Sequence, residues 1–86
     1  MSIEKIRKEI DKTDAEIAKL LAKRFELSLE ASKTKNALKR DEKREKEIIE
    51  MVTSAVPEDM SENIGKIYEK LLAQSRQYQK KMKDKQ

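Results

Sequence analysis

Apolar residues in the first part of the chain recur at alternating steps of three and four. Ile3, Ile6, Ile10, Ile17, Leu20, Leu27, Ala31 and Leu38 fall on one a/d heptad seam, and Thr13 and Thr34 occupy two further d positions. The stretch has neither Gly nor Pro. It predicts one helix over about residues 3–38, opening at Ser2 with Glu4 in its first turn. Arg24 interrupts the seam at an a position, where a coiled coil wants an aliphatic side chain; there it either snorkels outward or faces something anionic. Such a helix spans roughly 54 Å, whereas a compact monomer of this length has a radius of gyration of roughly 12 Å. The chain cannot cover this helix alone, and the seam predicts a second copy packed along it.

The stripe of Ala31 and Leu38 does not continue in phase into Ile48 and Val52. On an unbroken helix the second stripe would be rotated by roughly 80°. A break is therefore expected at Lys39–Asp41, with Asp41 capping a second helix over about 42–54. Pro57 ends that segment or restricts its successor. Ser61 is the expected N-cap of a third helix over about 61–83, with an apolar face of Ile64, Ile67, Tyr68, Leu71, Leu72 and Met82. Gly65, the single glycine, lies inside this helix at a small cost in propensity. No strand alternation and no internal repeat occur. The expected fold is all-α, a single domain over 1–86 with a long, a short and a medium helix.

Composition strengthens the case for a dimer. The chain has 86 residues, 44% charged and 36% hydrophobic, so a monomeric core would be thin. The absence of cysteine excludes a disulfide framework and a thiolate metal site, and the absence of histidine removes most zinc chemistry and the usual general base. No metal site is expected. No apolar run is long enough for a signal peptide or a membrane span, so the cytoplasm is the default location and a membrane is not an expected partner. The net charge of +4 suggests nucleic acid, but its placement does not. The excess comes from Arg76, Lys80, Lys81, Lys83 and Lys85 against Asp84, while Lys and Glu alternate elsewhere as on a solvated helix face. With two Tyr, one Phe and no Trp, stacking platforms are scarce and nucleic acid is not expected.

The functional signal is a set of polar residues where apolar ones belong. Arg24, Ser28, Ala31 and Lys35 share a strip on the seam side of the first helix. Asp41, Arg44, Glu45, Ile48 and Val52 share one face of the second. Ser75 and Gln79 continue the stripe of Ile64, Tyr68, Leu71 and Leu72 on the third. Each has a plain reading: an interface arginine, a solvated lysine, a surface ion-pair ladder of little worth, a serine and glutamine satisfying each other. Taken together, three helices present polar groups to one interior, and the basic ones can converge on an anion. Arg7 lies roughly 42 Å along the helix from Lys35 and cannot share a pocket with it in one chain. In an antiparallel pair of first helices, Arg7 of one chain can approach the Arg24–Lys35 region of the other.

The pattern resembles the all-α chorismate mutases over nearly the whole chain. The family's opening signature reads here as Arg7, Ile10, Asp11, Asp14, Leu20, Leu21 and Arg24, and its Lys-x-Lys run as Lys33-Thr34-Lys35. The Asp-x-x-Arg-Glu opening of the second helix reads as Asp41 to Glu45, and the Ser-x-x-x-Gln of the third as Ser75 and Gln79, after the aromatic Tyr68. The order and spacing of these motifs carry the resemblance, since none is specific alone. The connection before Asp41 is shorter than is common in the family and lacks its proline turn. Arg76 stands where the family often has an aliphatic residue lining the site, so it either turns away or crowds the pocket.

The resemblance implies an interlaced antiparallel homodimer with two shared active sites and a small dianionic substrate, chorismate. Arg24, and Arg7 from the partner chain, would hold its carboxylates, with Ser75 supporting the ring carboxylate. Lys35 and Gln79 would donate to the ether oxygen whose bond breaks. Glu45, near Asp41, would receive the ring hydroxyl, and Arg44 would shape that end. Ile48 and Leu72 would pack on the ring. The catalytic set is then Lys35, Gln79 and Arg24. The rearrangement to prephenate needs no nucleophile, metal or cofactor, which suits a chain without His or Cys. Two alternatives compete: an isochorismate pyruvate lyase on the same scaffold, whose members usually lack the acid at Glu45, and a non-catalytic helical dimerisation module.

Overall fold

The computed structural model describes residues 2–34 and 41–85. It contains α1 (Ile3–Thr34), α2 (Glu42–Ser54) and α3 (Glu58–Asp84), with no strand among the described residues. Residues 35–38 of the expected first helix, and residues 39–40 of the expected connection, lie outside the described residues.

The helix starts follow from local chemistry. Ser2 Oγ accepts the Lys5 backbone N–H at 3.3 Å, and Asp41 Oδ1 accepts that of Arg44 at 3.0 Å. Each satisfies one of the donors that the first turn of a helix leaves without an intrahelical partner. α3 starts earlier than Ser61 predicts. Pro57 occupies the cap position with φ −56° and ψ 147°, without a side-chain cap, and Glu58 and Asp59 follow in the first turn. The proline ring presets φ and has no N–H to lose, while two carboxylates favour the positive end of the helix dipole. Those residues start the helix before Ser61 is needed.

α3 packs against both other helices, whereas no Cα of α1 comes within 8 Å of a Cα of α2 among the described residues. The α2–α3 contact is close at Gly65. A Cβ on that buried residue would lie 3.2 Å from the Thr53 methyl carbon Cγ2. Thr53 is held in place by its hydroxyl, which donates to the Ile49 carbonyl at 2.7 Å. The glycine therefore forms a notch that lets α2 approach, in return for its lower helix propensity. The α1–α3 contact is aromatic: Phe25 stacks on Tyr78 at 5.4 Å between ring centroids, and the Arg24 guanidinium lies 5.9 Å over the Tyr68 ring.

Little else is covered. Ile48 and Leu72 are the buried hydrophobic side chains among the described residues, joined by Ser75. α1 buries none, and residues 2–20 are exposed throughout, with Ile3 at 59% and Leu20 at 65%. The seam threonines bond back to their own helix, Thr13 to the Glu9 carbonyl at 2.8 Å and Thr34 to that of Glu30 at 3.1 Å. Their hydroxyls are satisfied locally, so the stripe remains an apolar surface. The molecule measures 51 × 28 × 16 Å, with a radius of gyration of 15.7 Å. It exposes 7552 Å², against roughly 5,300 Å² for a compact monomer of its 10.1 kDa. No helix among the described residues is long and apolar enough to cross a membrane.

The notch makes a stability prediction. Gly65→Ala gains up to about 1 kcal/mol of helix propensity but must displace the Thr53 methyl. In a Thr53→Ser background that methyl is gone, so the same substitution should stabilise more. Urea denaturation of the four proteins reads the coupling; equal effects in both backgrounds would contradict the close contact.

Candidate active site

The space between α1 and α2 is a concavity of about 440 Å³ floored by α3. Each helix contributes a face of the same spacing, i, i+3, i+4, i+7. α1 offers Arg24, Leu27, Ser28 and Ala31, with Ser32 beside them. Asp41, Arg44, Glu45 and Ile48 come from the cap and body of α2, and Leu72, Ser75, Arg76 and Gln79 from α3. This spacing keeps four side chains on one side of a helix over two turns, which is why each element can aim a polar set inward. The floor is the core itself: Ile48 is 8% exposed, Leu72 6% and Ser75 3%.

Several polar groups are already oriented. Arg24 donates from Nη1 to Ser28 Oγ at 3.4 Å while its guanidinium rests over Tyr68. These contacts answer the seam interruption: Arg24 packs on an aromatic face at the edge of the concavity and is half-buried. Gln79 donates from Nε2 to Ser75 Oγ at 3.4 Å, a long bond that a better acceptor could replace. Arg76 donates from Nη1 to Glu45 Oε2, joining α3 to α2. Among the described residues no buried side-chain nitrogen or oxygen lacks a partner. Three guanidinium groups, two carboxylates and neutral amide and hydroxyl donors thus surround an aliphatic floor. The arrangement suits a small anion with an apolar ring: guanidinium forks match carboxylates, and Ile48 and Leu72 offer a flat apolar contact.

Arg24, Asp41, Arg44, Glu45, Ile48, Leu72, Ser75 and Gln79, all expected at a site from the sequence, line this one concavity. Lys35 lies outside the described residues. Arg7 is not brought in: it sits on the exposed first half of α1, roughly 25 Å along the helix axis from Arg24. The sequence reading did not assign Leu27 or Ser32 to the site. Arg76, which the resemblance set at a position that lines the family's site, is in the lining here, four residues after Leu72 on the face of Ser75 and Gln79.

The family model for chorismate mutase type II matches residues 6–80. The chain belongs to that family. No curated protein and no solved structure matches it. The chorismate mutase type II match runs through all three helices and includes every residue of the concavity, as well as Arg7.

In this chorismate mutase type II chain Asp41 serves the helix before it serves any ligand. Its Oδ1 caps α2, which places Arg44 and Glu45 one turn along and facing the concavity. Asp41→Ala should cost about 1 kcal/mol of stability in denaturant titrations, and Asp41→Asn only a few tenths, because asparagine caps nearly as well. Equal losses for the two variants would mean that charge, rather than the cap, is what α2 needs.

Proposed function

We propose that the protein is a chorismate mutase, converting chorismate to prephenate on the phenylalanine and tyrosine branch of aromatic amino acid synthesis. The observation that carries this reading is the gathering of Arg24, Asp41, Arg44, Glu45, Ile48, Leu72, Ser75 and Gln79 around one concavity in a chain of the chorismate mutase type II family. The reaction is a unimolecular [3,3] rearrangement in which a carbon–oxygen bond breaks as a carbon–carbon bond forms. Catalysis then consists of holding an extended dianion in its folded, near-attack conformer and placing donors where charge grows on the ether oxygen.

In this reading Arg24 binds one carboxylate, already steadied by Tyr68 and Ser28. Ser75 supports the ring carboxylate. Gln79 turns its amide from Ser75 to the ether oxygen, to which Lys35 also donates. Glu45, with Asp41 nearby, receives the ring hydroxyl, Arg44 shapes that end, and Ile48 and Leu72 carry the ring. The Glu45 carboxylate in the concavity favours the mutase over an isochorismate pyruvate lyase.

The site is completed by a second copy of the chain. The exposed seam of α1 is the surface that such a copy would cover. The excess of roughly 2,300 Å² over a compact monomer is the size of area that obligate dimers bury. An antiparallel α1 pair interlaces the two chains and delivers Arg7 of each to the other's site, giving two shared sites.

Loss of chorismate's ultraviolet absorbance, with prephenate identified by chromatography, tests the activity. Arg24→Ala, Lys35→Ala and Gln79→Ala should each lower kcat/KM by about 10²-fold or more while helicity and oligomeric state persist. Changes within twofold would refute these roles. Mixing the inactive Arg7→Ala and Arg24→Ala variants should restore roughly a quarter of the wild-type rate, because half the dimers are hybrids with one intact site. No recovery on mixing, with exchange of chains verified, would mean that Arg7 does not serve the site of the other chain.

A further inference from the structure

A second, outer hollow of about 690 Å³ lies along α2 and α3, lined by Ile49, Glu50 and Glu69 among others. It shares three residues with the inner concavity: Glu45, Leu72 and Arg76. These three form the partition between the two spaces. Leu72 is its aliphatic base, and the bond from Arg76 Nη1 to Glu45 Oε2 is its polar crest. The Glu45 side chain is 16% exposed and that of Arg76 35%, so the glutamate is the deeper member of the pair, and both line the inner space.

We infer that Arg76 is a positioning residue for Glu45, fixing the carboxylate that selects a substrate bearing a ring hydroxyl. This rests on the proposed role of Glu45 as acceptor for that hydroxyl. A glutamate on α2 has three rotatable bonds and can swing toward either hollow. A guanidinium from α3 bound to one carboxylate oxygen removes that freedom, and a charge-assisted bond between two helices holds direction as well as distance. An aliphatic residue at position 76 would line the wall but could not hold the carboxylate. Arg76 itself need not touch the substrate: its head is engaged with Glu45, and its effect reaches the reaction through where that carboxylate points. A site built to hydrogen-bond a hydroxyl rejects the analogue lacking it, and the rejection is as sharp as the acceptor is fixed.

The test is the ratio of kcat/KM for chorismate to that for an analogue without the ring hydroxyl. It is measured in the wild type and in Arg76→Met, Arg76→Lys, Glu45→Gln and Arg76→Met/Glu45→Gln, with the helicity and oligomeric state of each protein checked. Arg76→Met should lower the ratio about tenfold, the scale of one hydrogen bond to a charged group, by slowing chorismate and sparing the analogue. Arg76→Lys, which keeps the charge and a donor, should recover part of the ratio, and the double variant should be no worse than Glu45→Gln alone. If Arg76→Met and Arg76→Lys slow both substrates equally, Arg76 merely packs the wall and the inference is overturned. If Glu45→Gln collapses the ratio while both Arg76 variants leave it intact, the role of Glu45 stands and that of Arg76 falls. If Glu45→Gln itself leaves the ratio unchanged, the reading of Glu45 has failed, and the inference fails with it.

Discussion

α3 holds two helices that do not hold each other. α2 reaches it through the notch at Gly65, α1 through the stacking of Phe25 on Tyr78, and the backbones of α1 and α2 stay apart along their described length. Among the described residues α3 is the element that spans the gap between them, and what it presents there, together with Ile48 of α2, is also what the chain buries best. Ile48, Leu72 and Ser75 are at once the core and the floor of the concavity. Core and site are therefore the same atoms, and a substitution at Leu72 changes both. In larger proteins the two can be separated; an 86-residue chain that is 44% charged lacks the apolar area to do so.

The polar groups above this floor suit chemistry by position and charge rather than by proton transfer. Arginine keeps its charge across the physiological range, and serine and glutamine donate while neutral. Their worth depends on being aimed before the reaction starts, since donors that must reorganise at the transition state return little of their interaction energy. Arg24 is steadied by an aromatic face and a serine hydroxyl, Glu45 by the Arg76 guanidinium, and Asp41 by its bond to the first turn of α2. The tertiary contacts of the fold double as the aiming devices of the site.

Features that depend on one helix were legible in the sequence. The α1 seam follows from a heptad count, the Asp41 cap from one side chain and one N–H, and the gathering of site residues from the helical repeat. Features set between helices were not. Gly65 reads as a weak point until Thr53 of another helix is seen against it. Arg76 and Glu45 are 31 residues apart, and no local pattern ties them. Arg24 had two readings, snorkelling or facing an anion, and the structure adds support from Tyr68 that neither reading contained. The start of α3 was missed for a local reason: Pro57 and two acids open a helix without the serine cap that the pattern favoured.

The aromatic residues have a consequence of a different kind. The chain contains Phe25, Tyr68, Tyr78 and no tryptophan. Tyr78 is stacked on Phe25 and Tyr68 lies beneath the Arg24 guanidinium, so all of its aromatic chromophores stand at the junction of α1 and α3. Tyrosine emission, elsewhere drowned by indole, is here the whole ultraviolet fluorescence of the protein. Near-ultraviolet dichroism likewise reports on this one junction, through its two contacts. The molecule thus carries an unlabelled optical probe at the α1–α3 junction, tied to its concavity through Arg24 and sensitive to whatever draws that guanidinium off its ring.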